Sequence, residues 1–222
     1  MNKAVVLLSG GLDSATTLYY AKSKGHQCHC LVFDYGQRHR REIKSALAVA
    51  KRAHCPYSLV KINLPWKGSA LLDKNISLPK NKSLTRPGIP ATYVPARNII
   101  FLSFAASYAE AIGARDIFIG ANAIDYSGYP DCRPKFIKSY QAMLGLGLKT
   151  GVEHQRIHVS TPLIRMTKAQ IVKLAVKLKV PVGLTWSCYK GGTKPCGVCD
   201  SCRFRAKGFE EAGIEEMPIF SR

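Results

Sequence analysis

Lys3-Ala4-Val5-Val6-Leu7-Leu8-Ser9-Gly10-Gly11-Leu12-Asp13-Ser14 decides how the rest of the chain is read. Its first half is a nearly continuous apolar run, the pattern of a strand buried on both faces. Ser9-Gly10-Gly11 stops that strand, and from Asp13 the apolar residues recur at helical spacing, with Leu18 and Ala21, until Gly25 supplies a stop signal. A strand that turns through glycines into a helix sets a row of backbone N–H groups at the helix N-terminus, where the macrodipole favours an anion. Gly10 and Gly11 allow a tight turn and close approach to oxygen atoms, and the Ser9 and Ser14 hydroxyls add hydrogen bonds. Asp13 makes sense among phosphates if it carries a magnesium ion. The loop has no Walker lysine, which excludes the kinase-type cradle. The plain alternative is a simple turn with Asp13 as helix N-cap.

Outward from this stretch, strand and helix alternate. A second strand is expected at Cys28–Phe33, a helix from about Arg41 to Ala53 and a third strand around Tyr57–Ile62. Three alternations in sixty-odd residues predict parallel βαβ units and a doubly wound, mostly parallel α/β sheet. Pro65 to Pro95 holds five prolines and little periodicity, so it reads as a long loop over the sheet. Further along come an apolar helix over Ala96–Ile112, a strand over Arg115–Ile119, a helix over Lys135–Leu148, a strand near Ile157–Ser160 and a helix capped by Thr167 that runs to about Leu178. The last forty residues read as a metal-bound cap ending in one short helix. The expected division is a nucleotide-binding body at 1–184 and a cysteine segment at 185–222.

The 222 residues are enough for one domain with a small appendage, and 46% hydrophobic with 21% charged residues is a globular balance. No apolar run reaches the length of a membrane helix and Met1 leads directly into the first strand, so a soluble, cytoplasmic protein is expected. A formal charge of +19 points to acidic partners such as nucleotide phosphates, a carboxylate or nucleic acid, or else to a solvated basic surface.

Cys188, Cys196, Cys199 and Cys202 form Cys-x7-Cys-x2-Cys-x2-Cys among Gly191, Gly192 and Gly197. Four thiolates in a glycine-rich loop suit a closed, structural tetrahedral zinc site, with an iron–sulfur cluster as the rival. Cys28, Cys30, Cys55 and Cys132 read as core or incidental thiols.

Other residues face the expected ligand edge. Asp34-Tyr35-Gly36-Gln37-Arg38 follows the second strand at its C-terminal end. Arg97 and Lys168 each stand in the first turn of a helix, where a cation is misplaced unless an anion faces it. A phosphate would be that anion. Tyr129, Asp131 and Arg133 combine an aromatic face, a carboxylate and a guanidinium in one loop, which suits a flat heterocycle bearing an acid group. Asp125 and Asp131 are the candidates for a general base. No zinc-protease or serine-hydrolase motif is present.

Ser9 to Ser14 resembles the signature of the PP-loop ATP pyrophosphatases. Together with Asp34-Tyr35-Gly36-Gln37-Arg38-His39-Arg40, Pro95-Ala96-Arg97-Asn98, Tyr129-Pro130-Asp131-Cys132-Arg133, Trp186-Ser187-Cys188-Tyr189 and the clustered cysteines, it makes the whole chain similar to the 7-cyano-7-deazaguanine synthase family. The resemblance implies the adenine-nucleotide α-hydrolase-like fold and an ATP-consuming ligase of queuosine precursor biosynthesis. It implies 7-carboxy-7-deazaguanine, ammonia and ATP with Mg²⁺ as substrates, one structural zinc per chain and a homodimer, with no direct tRNA binding. Carried onto this sequence, it assigns ATP to Leu8, Ser9, Gly10, Gly11, Leu12, Asp13, Ser14, Ala15, Thr16, Thr17 and Leu18. Asp13, Arg97 and Lys168 are then the catalytic candidates and the four clustered cysteines the metal ligands, while residue type alone points to Tyr129, Asp131 and Arg133 for the heterocycle, with a solvated turn as the alternative. A tRNA-modifying PP-loop enzyme and a non-catalytic nucleotide-binding module are the alternatives.

Overall fold

A computed structural model describes residues 2–79, 88–124 and 128–216. Strand β1 (Lys3–Leu7) pairs in parallel with β2 (Gln27–Asp34) on one side and β4 (Asp116–Ile119) on the other, while β3 (Tyr57–Lys61) and β5 (His158–Ser160) complete the order β3-β2-β1-β4-β5. Every pairing is parallel, as the alternation of strands and helices predicts.

The apolar run of β1 divides between two cores because successive side chains point to opposite faces. Ala4, Val6 and Leu8 join one buried cluster with α1 (Leu12–Ser23), α2 (Arg41–Arg52), α6 (Lys168–Lys177) and α7 (Asp200–Ala212). Val5 and Leu7 join the other, beneath α3 (Arg97–Ile112) and α4 (Pro134–Gly147). A single helical turn, α5 (Lys149–Val152), follows α4 and has no counterpart in the sequence pattern. Edge strand β3 is only half-buried, with Tyr57 and Leu59 exposed.

Local signals set the boundaries. Thr167 and Gln170 form a reciprocal capping box at the start of α6, and Gly113 and Gly213 take left-handed conformations at the ends of α3 and α7. The described parts of 65–95 contain turns and no helix or strand. Arg38 ties that loop down by donating to the Ala70 and Ile76 carbonyls at 3.2 and 3.1 Å. The C-terminal segment is not a loose appendage: Phe209 of α7 enters the α1-side core, and Arg205 donates to Thr185 Oγ1 at 2.8 Å and to Ser187 Oγ at 3.2 Å.

Candidate active site

The helix after β1 covers one face of the sheet, whereas the helix before β4 covers the other. The reversal opens a crevice beyond the C-terminal ends of these two strands, where open α/β sheets hold ligands. A cavity of about 240 Å³ occupies it, lined by Ser9, Gly11, Asp13 and Ser14 from the loop, Tyr35 and Glu42 beyond β2, Arg97 and Asn98 of α3, and Gly120 to Asn122 beyond β4. Tyr129, Cys132, Lys168, Trp186 and Arg205 also reach it.

The loop is held open by its own serines. Ser9 Oγ lies 3.0 Å from Ser14 Oγ, which also accepts from Ser9 N at 3.2 Å and donates to the Gly11 carbonyl at 3.1 Å. No side chain caps α1 at Gly11, and the residues of its first turn, Leu12, Asp13 and Ser14, line the cavity. Gly10 is required by its φ of +85°, and a Cβ there would meet the Glu42 carbonyl at 2.2 Å. Gly120 lets β4 come close, since a Cβ would stand 3.0 Å from the backbone of Asp13 and Ser14.

Asp13 is not the N-cap but the second residue of α1, and Lys168 Nζ donates to both its carboxylate oxygens at 2.8 Å. Lys168 is buried, contrary to the solvated lysine that its place in a first turn also allows. Asn122 organises the approach to α6, donating to the Leu163 and Met166 carbonyls. Sequence pattern alone does not disclose that role, for which Asn122's place just past a strand end is the one available signal.

Arg97 does point into the cavity. Burial works against its charge, but the Tyr35 and Tyr129 hydroxyls and the Asp131 carboxylate outweigh this and hold its pKa above the ordinary value. Tyr35 itself is pushed up to about 12, by burial first and then by the Glu42 charge. Glu42, inconspicuous in the sequence, is pushed up to about 7 by burial, against the pull of Arg97 and a hydrogen bond from Gln37.

The third group separates. Tyr129 lines the cavity with its hydroxyl 2.6 Å from Thr92 Oγ1. Asp131 turns towards α3, where Oδ2 accepts from Asn98 N at 3.1 Å and so caps that helix from a distant loop, while Oδ1 is buried without a hydrogen-bond partner. Arg133 is exposed at the start of α4 and outside the cavity lining. Asp125 lies outside the described residues. Leu8 and Leu12 line the cavity, whereas Ala15, Thr16, Thr17 and Leu18 lie deeper in α1; Leu18 belongs to the core, and Thr16 Oγ1 donates back to the Leu12 carbonyl at 2.8 Å. Cys132 is more than incidental: it lines the cavity and its sulfur accepts from Asn98 Nδ2 at 3.3 Å.

The Sγ atoms of Cys188, Cys196, Cys199 and Cys202 lie within 4.8 Å of one another and could hold a metal ion. The group abuts the Ser9–Ser14 loop, because Trp186 N donates to the Gly10 carbonyl at 2.8 Å and Arg41 lies over the Trp186 ring at 5.2 Å.

The family model described as queuosine biosynthesis protein QueC matches residues 3–213. The chain belongs to the QueC family. Among relatives of this QueC chain, a protein of Nostoc sp. named 7-cyano-7-deazaguanine synthase is 55% identical over 218 residues, covering 96% of this chain and 95% of its own. One of the same name from Thermoplasma volcanium is 52% identical over 221 residues, covering 99% and 91%. The solved NMN synthetase of Francisella tularensis superimposes with a TM-score of 0.51 at 13% identity, over 99% of this chain and 90% of that one. At that identity the likeness shows a shared fold. No described helix is long and apolar enough to cross a membrane.

Proposed function

We propose that this QueC-family enzyme converts 7-carboxy-7-deazaguanine and ammonia to 7-cyano-7-deazaguanine at the expense of ATP. The observation that carries the reading is the uncapped start of α1 facing a crevice that also holds the Asp13–Lys168 pair and Arg97. Backbone N–H groups and two cations there suit a nucleotide's phosphates and the pyrophosphate that leaves. A carboxylate is a poor electrophile, so its oxygen is first adenylated; ammonia then displaces AMP to give an amide. A second adenylation of the amide oxygen and loss of AMP leaves the nitrile.

Leu8 to Ser14 hold the triphosphate in this reading, with Ala15 to Leu18 supporting them from within α1. Arg97 and Lys168 steady the departing pyrophosphate. Asp13 fits a magnesium ion, being the loop's carboxylate with the Ser9 and Ser14 hydroxyls beside it, and Lys168 then passes from Asp13 to phosphate. Bound magnesium supplies charge neutralisation at the phosphates. Tyr129 stacks on the heterocycle, while Asp131 and Arg133, which both stand outside the lining, would have to turn in to meet its ring N–H groups and its carboxylate.

The four clustered cysteines fit one structural zinc ion per chain. Thiolates about 2.3 Å from a single tetrahedral ion lie about 3.8 Å apart, compatible with the observed spread. An iron–sulfur cube places each thiolate on a different iron and spreads them wider. Residues 185–222 are then a zinc-held segment packed on the 1–184 body. The reading further places the enzyme in the cytoplasm as a homodimer acting on small molecules without binding tRNA; exposed Ile99 and Phe104 on α3 support a protein partner.

Mass spectrometry of products formed from ATP, ammonium and the 7-carboxy base tests the function. The nitrile and AMP are expected; AMP release that requires tRNA and ignores the base would overturn it.

A further inference from the structure

Two carboxylates line the cavity among the described residues, and one is spoken for. Asp13 has both oxygens on Lys168. The other is Glu42, in the first turn of α2, whose carbonyl packs over Gly10 of the loop. Its orientation is set by a chain of fixed hydrogen bonds. Gln37 Oε1 accepts from Tyr35 N at 2.8 Å, which decides which way the amide points, and Nε2 donates to the Phe33 carbonyl at 3.1 Å. The remaining amide hydrogen is thereby left for Glu42, to which Gln37 also bonds. Arg97 of α3 and Tyr35 beyond β2 are the charged and titratable groups facing this carboxyl. The side chain therefore sits in the reaction chamber, held by one amide, opposite the arginine expected to steady the leaving group.

The proposed chemistry leaves a proton without a destination. When ammonia adds to the acyl adenylate, the C–N bond forms and the C–O bond to AMP breaks, with the electron pair leaving on the AMP phosphate. The nitrogen, cationic after attack, must lose one proton. In the second round the amide nitrogen gives up both of its remaining protons, one as the amide oxygen attacks the α-phosphorus of ATP and pyrophosphate leaves, the other as AMP departs and the C≡N bond completes. Asp13 cannot serve while it is paired or metal-bound, and Asp131 turns its Oδ2 to the α3 backbone.

We propose that Glu42 is the base that accepts the nitrogen-borne proton in amide formation and again in nitrile formation. The assignment rests on the synthase reading above. Its surroundings suit such a base, since burial lifts the carboxyl to about 7, where it is basic enough to take a proton while about half of it is ionised at neutral pH.

The experiment separates activation from nitrogen chemistry in wild type, Glu42→Gln and Glu42→Asp. ATP–pyrophosphate exchange driven by the 7-carboxy base, without ammonium, reads adenylation and reports a folded nucleotide site. Amide and nitrile formation are then followed by mass spectrometry from pH 6 to 9 at fixed free-ammonia concentration. For Glu42→Gln, exchange is expected within about threefold of wild type while nitrogen incorporation falls about 10²- to 10⁴-fold and loses its acidic limb near pH 7. Glu42→Asp should recover part of the rate and keep the limb. Unchanged incorporation in Glu42→Gln, or exchange lost in parallel with it, overturns the proposal. Absence of exchange in the wild type overturns the functional reading itself.

Discussion

Asp13 and Lys168 stand 155 positions apart in the chain and 2.8 Å apart in the fold. Each residue type was readable alone, since a carboxylate in a phosphate loop and a lysine at a helix start both suggest an anion. Their pairing was not, because it depends on Asn122 drawing the 163–166 turn against the end of β4. Replacing Asp13 by Asn should abolish product formation by mass spectrometry while the thermal melt stays near wild type; retained turnover would remove the metal role. Glu42 was less legible still. Flanked by Arg40, Arg41 and Lys44, it has the look of an ordinary charged helix start, and only the approach of α3 gives it Arg97 as a neighbour. Its raised pKa has a thermodynamic consequence. The folded state holds this proton more tightly than the unfolded chain, so the stability it contributes is full below the ordinary glutamate pKa and is lost as pH rises through about 7. Denaturant melts of wild type against Glu42→Gln should show the variant gaining on the order of 1–3 kcal/mol relative to wild type across that window. A difference that does not change with pH would show that Glu42 is ionised as readily in the fold as out of it.

At the level of elements, the stretch from β1 to α2 followed directly from local pattern. A short continuous apolar run closed by glycines fits a strand with helices on both sides, and the helical spacing that follows the glycine turn marks α1. Capping signals gave α6 its start at Thr167. Asp131 has a part in the fold that the same logic does not reach, since a helix cap supplied by a loop 33 residues further on carries no local signature. The loop's own geometry makes Gly10 the least replaceable glycine of this unit. Gly10→Ala adds a methyl group against the Glu42 carbonyl at a positive φ, and should cost about 1–3 kcal/mol in denaturant melts and weaken ATP binding by calorimetry at least tenfold. The α1–α7 side should be sensitive as well. Ile171 is fully buried in that core, and Ile171→Ala is expected to cost about 2–5 kcal/mol.

For the whole molecule, the cysteine segment and the α/β body share a core through Phe209 and a backbone hydrogen bond between Trp186 and Gly10. Elemental analysis should find one zinc per chain, and a chelator should lower the melting temperature and blunt ATP binding together, because the thiolate group backs the nucleotide loop. Chelation that left ATP affinity untouched would separate the two. The +19 charge was legible as a preference for anions or as a solvated basic surface; the fold brings three cations, Arg97, Lys168 and Arg205, to the crevice.

The Trp186–Gly10 contact also orders events in time. The phosphate loop is made within the first fourteen residues, yet its lysine, its tryptophan neighbour and the cysteines behind it are translated last. The loop's sequence is thus complete long before the residues that back it have been made. High sequence separation makes such closure slow as well as late. A chain cut short before Trp186 would lack both the hydrogen bond to Gly10 and the cysteines behind the loop.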